Sequence, residues 1–275
     1  ADRHKRWAEA GAWQRPGNLC TAQCSGASHS CAPPLAGRCA DRLMRMVDLP
    51  STAAPVPATA AIEVLALVAA GELASFARLA DDAAHAPELR TRIALSRMAA
   101  GELTHLERVE AQALALGAAS EEFDDSIWSY RELLSEFDAR LVPRDWWERL
   151  VKTYIGYGIV LDVQREIVAG LSGAVQESAA APLAHSGDAE FVVASLAPVI
   201  AAEPQLAARL ALWGRRVVGE GLGVASRLLA GHPDLAGVAA AGQGEASVSA
   251  ETTSALIGRL TGEHARRMKR LNLTA

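Results

Sequence analysis

An all-α fold, a bundle of long helices, is the architecture this sequence predicts, and three observations carry the prediction. Half of the 275 residues are hydrophobic but only 5% are aromatic. Alanine, leucine and valine therefore supply most of the apolar surface, whereas strand-rich chains lean on Tyr, Phe, Trp, Ile and Thr. From Ala61 onward, apolar residues recur at steps of three and four in one segment after another, the period of a helix face. No stretch alternates with the period of two that a half-buried strand requires.

Taken in order, the first helix carries Leu65, Val68, Glu72, Phe76 and Leu79 on one face, and Pro87 ends it. The second reads Leu95, Met98, Glu102, His105, Val109, Ala113 and Leu116. A short amphipathic helix from about Glu121 to Arg140 follows. Pro143 and Asp145 are start signals for a third long segment through Val151, Ile155, Gly158, Asp162 and Ala169, with Trp146 and Trp147 covering the core at its start. After Gly187 comes a helix with Val192, Leu196 and Val199. Pro204 then opens a long one through Leu206, Leu210, Trp213, Val217, Val224 and Leu228, and the last runs from about Ser249 to Leu271. Gly231 to Gly244 is read as an open loop.

The N-terminal segment is a different material. Cys20, Cys24, Cys31 and Cys39 all fall within residues 1–43, which carry six Lys/Arg against three acids and are rich in Gly, Pro and Ser. Cysteine spacings of three, six and seven intervening residues match no familiar zinc module, and a disulfide framework would need an oxidising compartment. The expectation is a disordered extension over 1–43 and a Pro/Ala linker over 44–60, with a helical domain over 61–275. A formal charge of −5 and a pI of about 5.8 argue against a general nucleic-acid binder. No uninterrupted apolar run reaches the roughly 18 residues of a membrane span. Nor do the first residues hold the apolar core of a secretory signal. A soluble, cytoplasmic protein without membrane contact is expected.

The informative feature is where charge falls on the apolar faces. Glu72 sits in the first stripe between Val68 and Phe76. Glu102 and His105 are spaced E-x-x-H in the second, so both project to one side of that helix. Asp162 holds the corresponding place in the third long segment. Burying an ionised carboxylate without a partner costs several kcal/mol at least, so such groups pair or bind metal. Carboxylates with imidazole suit iron or manganese. A Glu on one helix and E-x-x-H on the next form half of the di-iron carboxylate bundle. E-x-x-H also arises by chance on helices rich in Ala and Glu, where the histidine is a core residue.

Several blocks in order carry a resemblance: GELASFARLADDA (71–83), MAAGELTHLERV (98–109), LVKTYIGYGIVLDVQRE (150–166), LAHSGDAEF (183–191), LALWGRRVVGEGL (210–222) and RLTGEHARRM (259–268). Over Val64 to Leu271 the chain resembles a ferritin-like branch related to the tRNA 2-methylthio-isopentenyladenosine hydroxylase, the MiaE-like proteins. The resemblance implies a ferritin-like four-helix bundle with additional C-terminal helices. It implies two iron ions, with manganese as the alternative, held by Glu72, Glu102, His105 and Asp162, with Glu166 the substitute for Asp162. The fourth helix should add an acid and then a histidine; here the order is reversed, His185 before Asp188. That reversal exchanges their heights along a helix whose turn rises 5.4 Å.

Glu220 and His264 also lie on apolar stripes. They either orient a ligand histidine or simply pair, with each other or with Arg215, Arg216, Arg266 or Arg267. The glycines Gly219, Gly221 and Gly223 lie inside a helical pattern with no strand before them, so they read as close packing and not as a nucleotide loop. The activity implied by the resemblance is O2-dependent hydroxylation of a C–H bond, using an electron donor, with tRNA as a partner touched through Arg266, Arg267, Lys269 and Arg270, and a homodimer as the assembly. The competing readings are a metal-free helical scaffold and an iron- or peroxide-handling ferritin-like protein.

Overall fold

The computed structural model describes residues 56–184, 187–245 and 247–275. The cysteine-rich segment 1–43 and most of the predicted linker lie outside the described residues, as do the contacts of His185 and of the Asp188 side chain. Every regular element among the described residues is a helix. These are α1 (Ala58–His85), α2 (Leu89–Ala115), α3 (Ser120–Arg140), α4 (Trp146–Val151), α5 (Gly158–Val168), α6 (Gly173–Ala180), α7 (Asp188–Ala202), α8 (Pro204–Gly231), α9 (Pro233–Gly242) and α10 (Ala250–Arg270). A π-helical turn, Lys152–Tyr157, joins α4 to α5 without a break.

α1 is the centre of the assembly, packed against α2, α3, α5, α6 and α9. Every residue from Val64 to Glu72 is buried, so this part of the helix is covered all round, and its sequence is correspondingly apolar all round. By length and composition alone α1 would qualify to cross a membrane, with a mean hydropathy of 1.8 over its best window, but 56% of that window is buried inside the bundle. The helix begins at Ala58, three residues inside the predicted linker, because extended Pro57 (φ −56°, ψ 145°) leads directly into it.

α1 and α2 are joined through Ala86, Pro87 and Glu88, a connection short enough to make them neighbours running antiparallel. α3 buries Phe123, Ile127, Tyr130, Leu134 and Phe137, spaced four, three, four and three apart, against α1 and α8. Asp145 caps α4 by accepting a bond from the Glu148 amide at 2.9 Å, and Trp146 and Trp147 pack half-buried on the core. All six residues marked for the helix after Pro204 are buried in α8. Ser249 and Thr252 cap each other at the start of α10.

Two parts of the sequence expectation are corrected. The segment read as a loop, Gly231 to Gly244, contains α9, which opens on Pro233 and buries Leu235, Ala236, Val238, Ala239 and Ala240. Small residues and two glycines hide an amphipathic period, yet they let this helix lie close: a Cβ at Gly170 would fall 1.8 Å from the Val238 carbonyl oxygen. Of Gly219, Gly221 and Gly223, Gly221 meets another helix, with Ile159 3.0 Å from a hypothetical Cβ; Gly219 meets nothing within 4 Å and Gly223 only Arg227 of α8 itself.

One contact fixes α1 against α5. The Gln164 side-chain amide donates to the Leu67 carbonyl at 2.8 Å, and the path exists because residue 71 is glycine: a Cβ there would lie 2.2 Å from Gln164 Nε2. We expect Gly71→Ala to displace the amide and lower stability by about 1–3 kcal/mol, the cost of a buried polar group left unsatisfied. Gly219→Ala, exposed within α8, is expected instead to stabilise by roughly 0.5–1 kcal/mol. Urea unfolding of the two variants checks both signs.

Candidate metal centre

Midway along α1 and α2, the antiparallel pairing brings Glu72 opposite Glu102 and His105. One ligand atom from each of the three lies within 4.8 Å of the others. Both carboxylates are buried, with 2% and 6% of their surface exposed. The His105 ring, 26% exposed in its side chain, lies with Nδ1 3.2 Å from Glu72 Oε2. A protonated Nδ1 donates in this pair, since the carboxylate can only accept. Two carboxylate oxygens and an imidazole nitrogen are a donor set for iron, manganese or zinc; bonds of about 2.0–2.2 Å place two donors of one ion at most about 4.4 Å apart, so the side chains would close slightly around an ion.

A helical bundle with this donor set on its first two helices is the setting in which the comparison with known families becomes specific. A family model described as a ferritin-like domain of actinomycetes matches residues 58–242. The chain belongs to this family. No curated protein matches it. The ferritin-like domain thus spans α1 to α9, and α10 lies beyond the matched residues.

Among the described residues, Asp162, Glu166, Glu220 and His264 are not brought to Glu72, Glu102 and His105. Asp162 is buried but held by arginines: Arg267 Nη2 donates to Oδ1 at 2.7 Å, Arg267 Nη1 lies 2.7 Å from Oδ2, and Arg165 Nη1 donates to Oδ1 at 3.3 Å. Glu166 receives Arg259 in a forked pair at 2.8–3.1 Å. Glu220 accepts from Arg140 at 3.3 Å, a partner outside the predicted set. His264 is buried in α10 and its Nδ1 has no hydrogen-bond partner. Of His185 and Asp188, the structure gives only that Asp188 opens α7, after Gly187 in a left-handed conformation (φ 84°).

Several polar residues that support the centre escaped the sequence reading. Asp82, 1% exposed, accepts from Thr153 Oγ1 at 2.7 Å and from Arg149 Nη1 at 3.1 Å, tying the end of α1 to α4 and the π-helical turn. Glu148 is buried with Arg209 Nη1 at 2.9 Å. A signal existed for Asp82, which follows Leu79 by three residues on the stripe that carries Glu72. Gln164 gave none, because its role depends on a glycine in another helix.

These placements separate candidate ligands from structural acids. Asp162→Asn is expected to weaken the α5–α10 junction, seen as a lower unfolding midpoint, while leaving ferrous iron uptake unchanged; Glu72→Ala is expected to abolish tight uptake. Elemental analysis and urea unfolding of both variants distinguish them.

His264 adds a pH dependence. Burial, with a smaller contribution from the Arg267 charge, pushes its pKa below the ordinary value. The unfolded chain then takes up the proton first, at about pH 6.5, so this contribution to stability is full above that pH and declines as pH falls toward the depressed folded value. Unfolding free energies at pH 7.5 and 5.5 should fall less in His264→Gln than in the parent chain.

Proposed function

We propose that this ferritin-like domain is an iron protein whose centre is held by Glu72, Glu102 and His105, and that it acts as a di-iron oxygenase hydroxylating a C–H bond. The observation that carries the reading is the buried convergence of two carboxylates and an imidazole from two adjacent helices, with ligand atoms within 4.8 Å. Belonging to a ferritin-like family supports the metal, and the resemblance to the tRNA 2-methylthio-isopentenyladenosine hydroxylase branch supports the reaction, with a prenylated adenosine as the substrate class.

Bound iron would supply O2 activation and electron transfer at this position. The chain contributes the rest. Glu72 and Glu102 offset the cation's charge where water is excluded. His105 would hold the metal through a ring nitrogen in place of its bond to Glu72. Gln164 and Asp82 hold α1 in register so that Glu72 stays opposite the E-x-x-H pair.

A second reading, a metal-free ferritin-like scaffold, draws on one observation: the third-helix acid, Asp162, is committed to Arg267 and Arg165. Anaerobic ferrous loading of the full chain followed by desalting decides between them. About two irons per chain supports the di-iron reading, one supports a mononuclear centre on the same three residues, and none leaves the scaffold. Either Glu102→Ala or His105→Ala should lower retained iron at least tenfold. Oxygen consumption by the loaded protein should rise when a prenylated adenosine is added; a rise without it, from a large cage-like assembly on gel filtration, would favour iron or peroxide handling.

A further inference from the structure

A cavity of about 420 Å³ lies between the π-helical turn with α5, the start of α7 and α10. None of Glu72, Glu102 and His105 lines it, and its α10 wall falls outside the matched family region. Its distinguishing content is guanidinium. Arg78, Arg165, Arg259, Arg266, Arg267 and Arg270 line it, against the carboxylates of Asp162, Glu166, Glu190 and Glu263 among the described residues. Asp82 lies 3.8 Å from Arg78, which leaves one positive charge in excess among the described residues.

The wall is built. Arg267 donates to the Gly158 carbonyl at 3.0 Å as well as to Asp162 at 2.7 Å. Only glycine at 158 permits this, because a Cβ there would lie 2.4 Å from Arg267 Nε. Glu166 holds Arg259 at 2.8 Å, Glu190 holds Arg270 at 3.1 Å, and Glu263 holds Arg266. A guanidinium has five N–H donors and a carboxylate engages at most two of them in a fork, so these pairs orient the arginines and leave N–H groups for a ligand. The π-helical turn, a geometry frequent at functional sites, brings Thr153, Tyr154 and Tyr157 to the lining. Tyr157 in turn carries the Arg78 guanidinium 4.1 Å above its ring. An interlocking of helices alone would be served by equal numbers of acids and bases with no space between them.

We infer that this cavity binds a small organic phosphate. A phosphate head matches the excess positive charge and the forked geometry of arginine, while Tyr154, Leu161 and Leu260 offer a surface for the organic body. The inference is independent of the metal reading, and its test uses the chain freed of metal by chelation.

Phenyl phosphate and inorganic phosphate are titrated into the full chain by calorimetry at fixed ionic strength. Saturable one-to-one binding of phenyl phosphate, tighter than that of inorganic phosphate, is expected. Arg266→Ala/Arg270→Ala removes two side chains that are 67% and 47% exposed, so the fold should stand, and affinity should fall at least tenfold. Arg266→Lys/Arg270→Lys should recover part of the loss, and Arg227→Ala, away from the cavity, should change nothing. The inference is overturned if neither probe saturates or if the double alanine variant binds phenyl phosphate as well as the parent does. It is also overturned if a single-stranded RNA oligomer binds at least tenfold more tightly per phosphate, since the arginines would then be a polyanion surface.

Discussion

Placing two carboxylates between α1 and α2 is the constraint on which the rest of this structure depends. A carboxylate taken out of water needs a cation or several hydrogen bonds, so Glu72 and Glu102 can share a buried position only if something positive completes it. His105, on the same face of α2 as Glu102, reaches Glu72 at 3.2 Å. The surrounding structure keeps this arrangement in place. α1 is enclosed on all sides over Val64 to Glu72, with Gln164 bonded to its backbone at Leu67 and Asp82 pinned by Thr153 and Arg149.

The acids of α5 follow a different logic. Asp162 and Glu166 lie one turn apart and both meet arginines of α10, Arg267 and Arg259. Arginine is always charged and forks onto carboxylates, which makes it the residue for a partly buried ionic junction. The bundle therefore has two polar regions with opposite character. Carboxylates dominate between α1 and α2, and guanidinium groups dominate between α5 and α10. A cation suits the first and an anion the second. The π-helical turn stands beside the second, and its Thr153 also reaches back to Asp82 on α1, so the two regions share one supporting segment.

The helical class, the long helices and the three converging donors were legible in the sequence because each rests on short-range periodicity, whereas α6 was not read. A residue at i and another at i+3 share a helix face wherever the helix is packed, so Glu102 and His105 had to act together. Glu72 followed from its stripe, and a three-residue connection after His85 made the two helices neighbours. α9 was not legible, since alanine and glycine give little contrast between a buried and an exposed face. The π-helical turn was not legible either, because its i→i+5 bonds leave no mark in the sequence of Lys152 to Tyr157.

What the sequence determined by itself, then, is which side chains share a helix face. What only the tertiary structure decided is which faces meet. Asp162 occupies a stripe position much like that of Glu72, yet it faces α10, and Arg267 lies against Gly158 one turn away. A periodic pattern specifies the angle of a residue about its own helix axis, but the partner at that angle depends on how distant helices cross. For Asp162 the partner is more than a hundred residues away in the chain, and no local spacing encodes it.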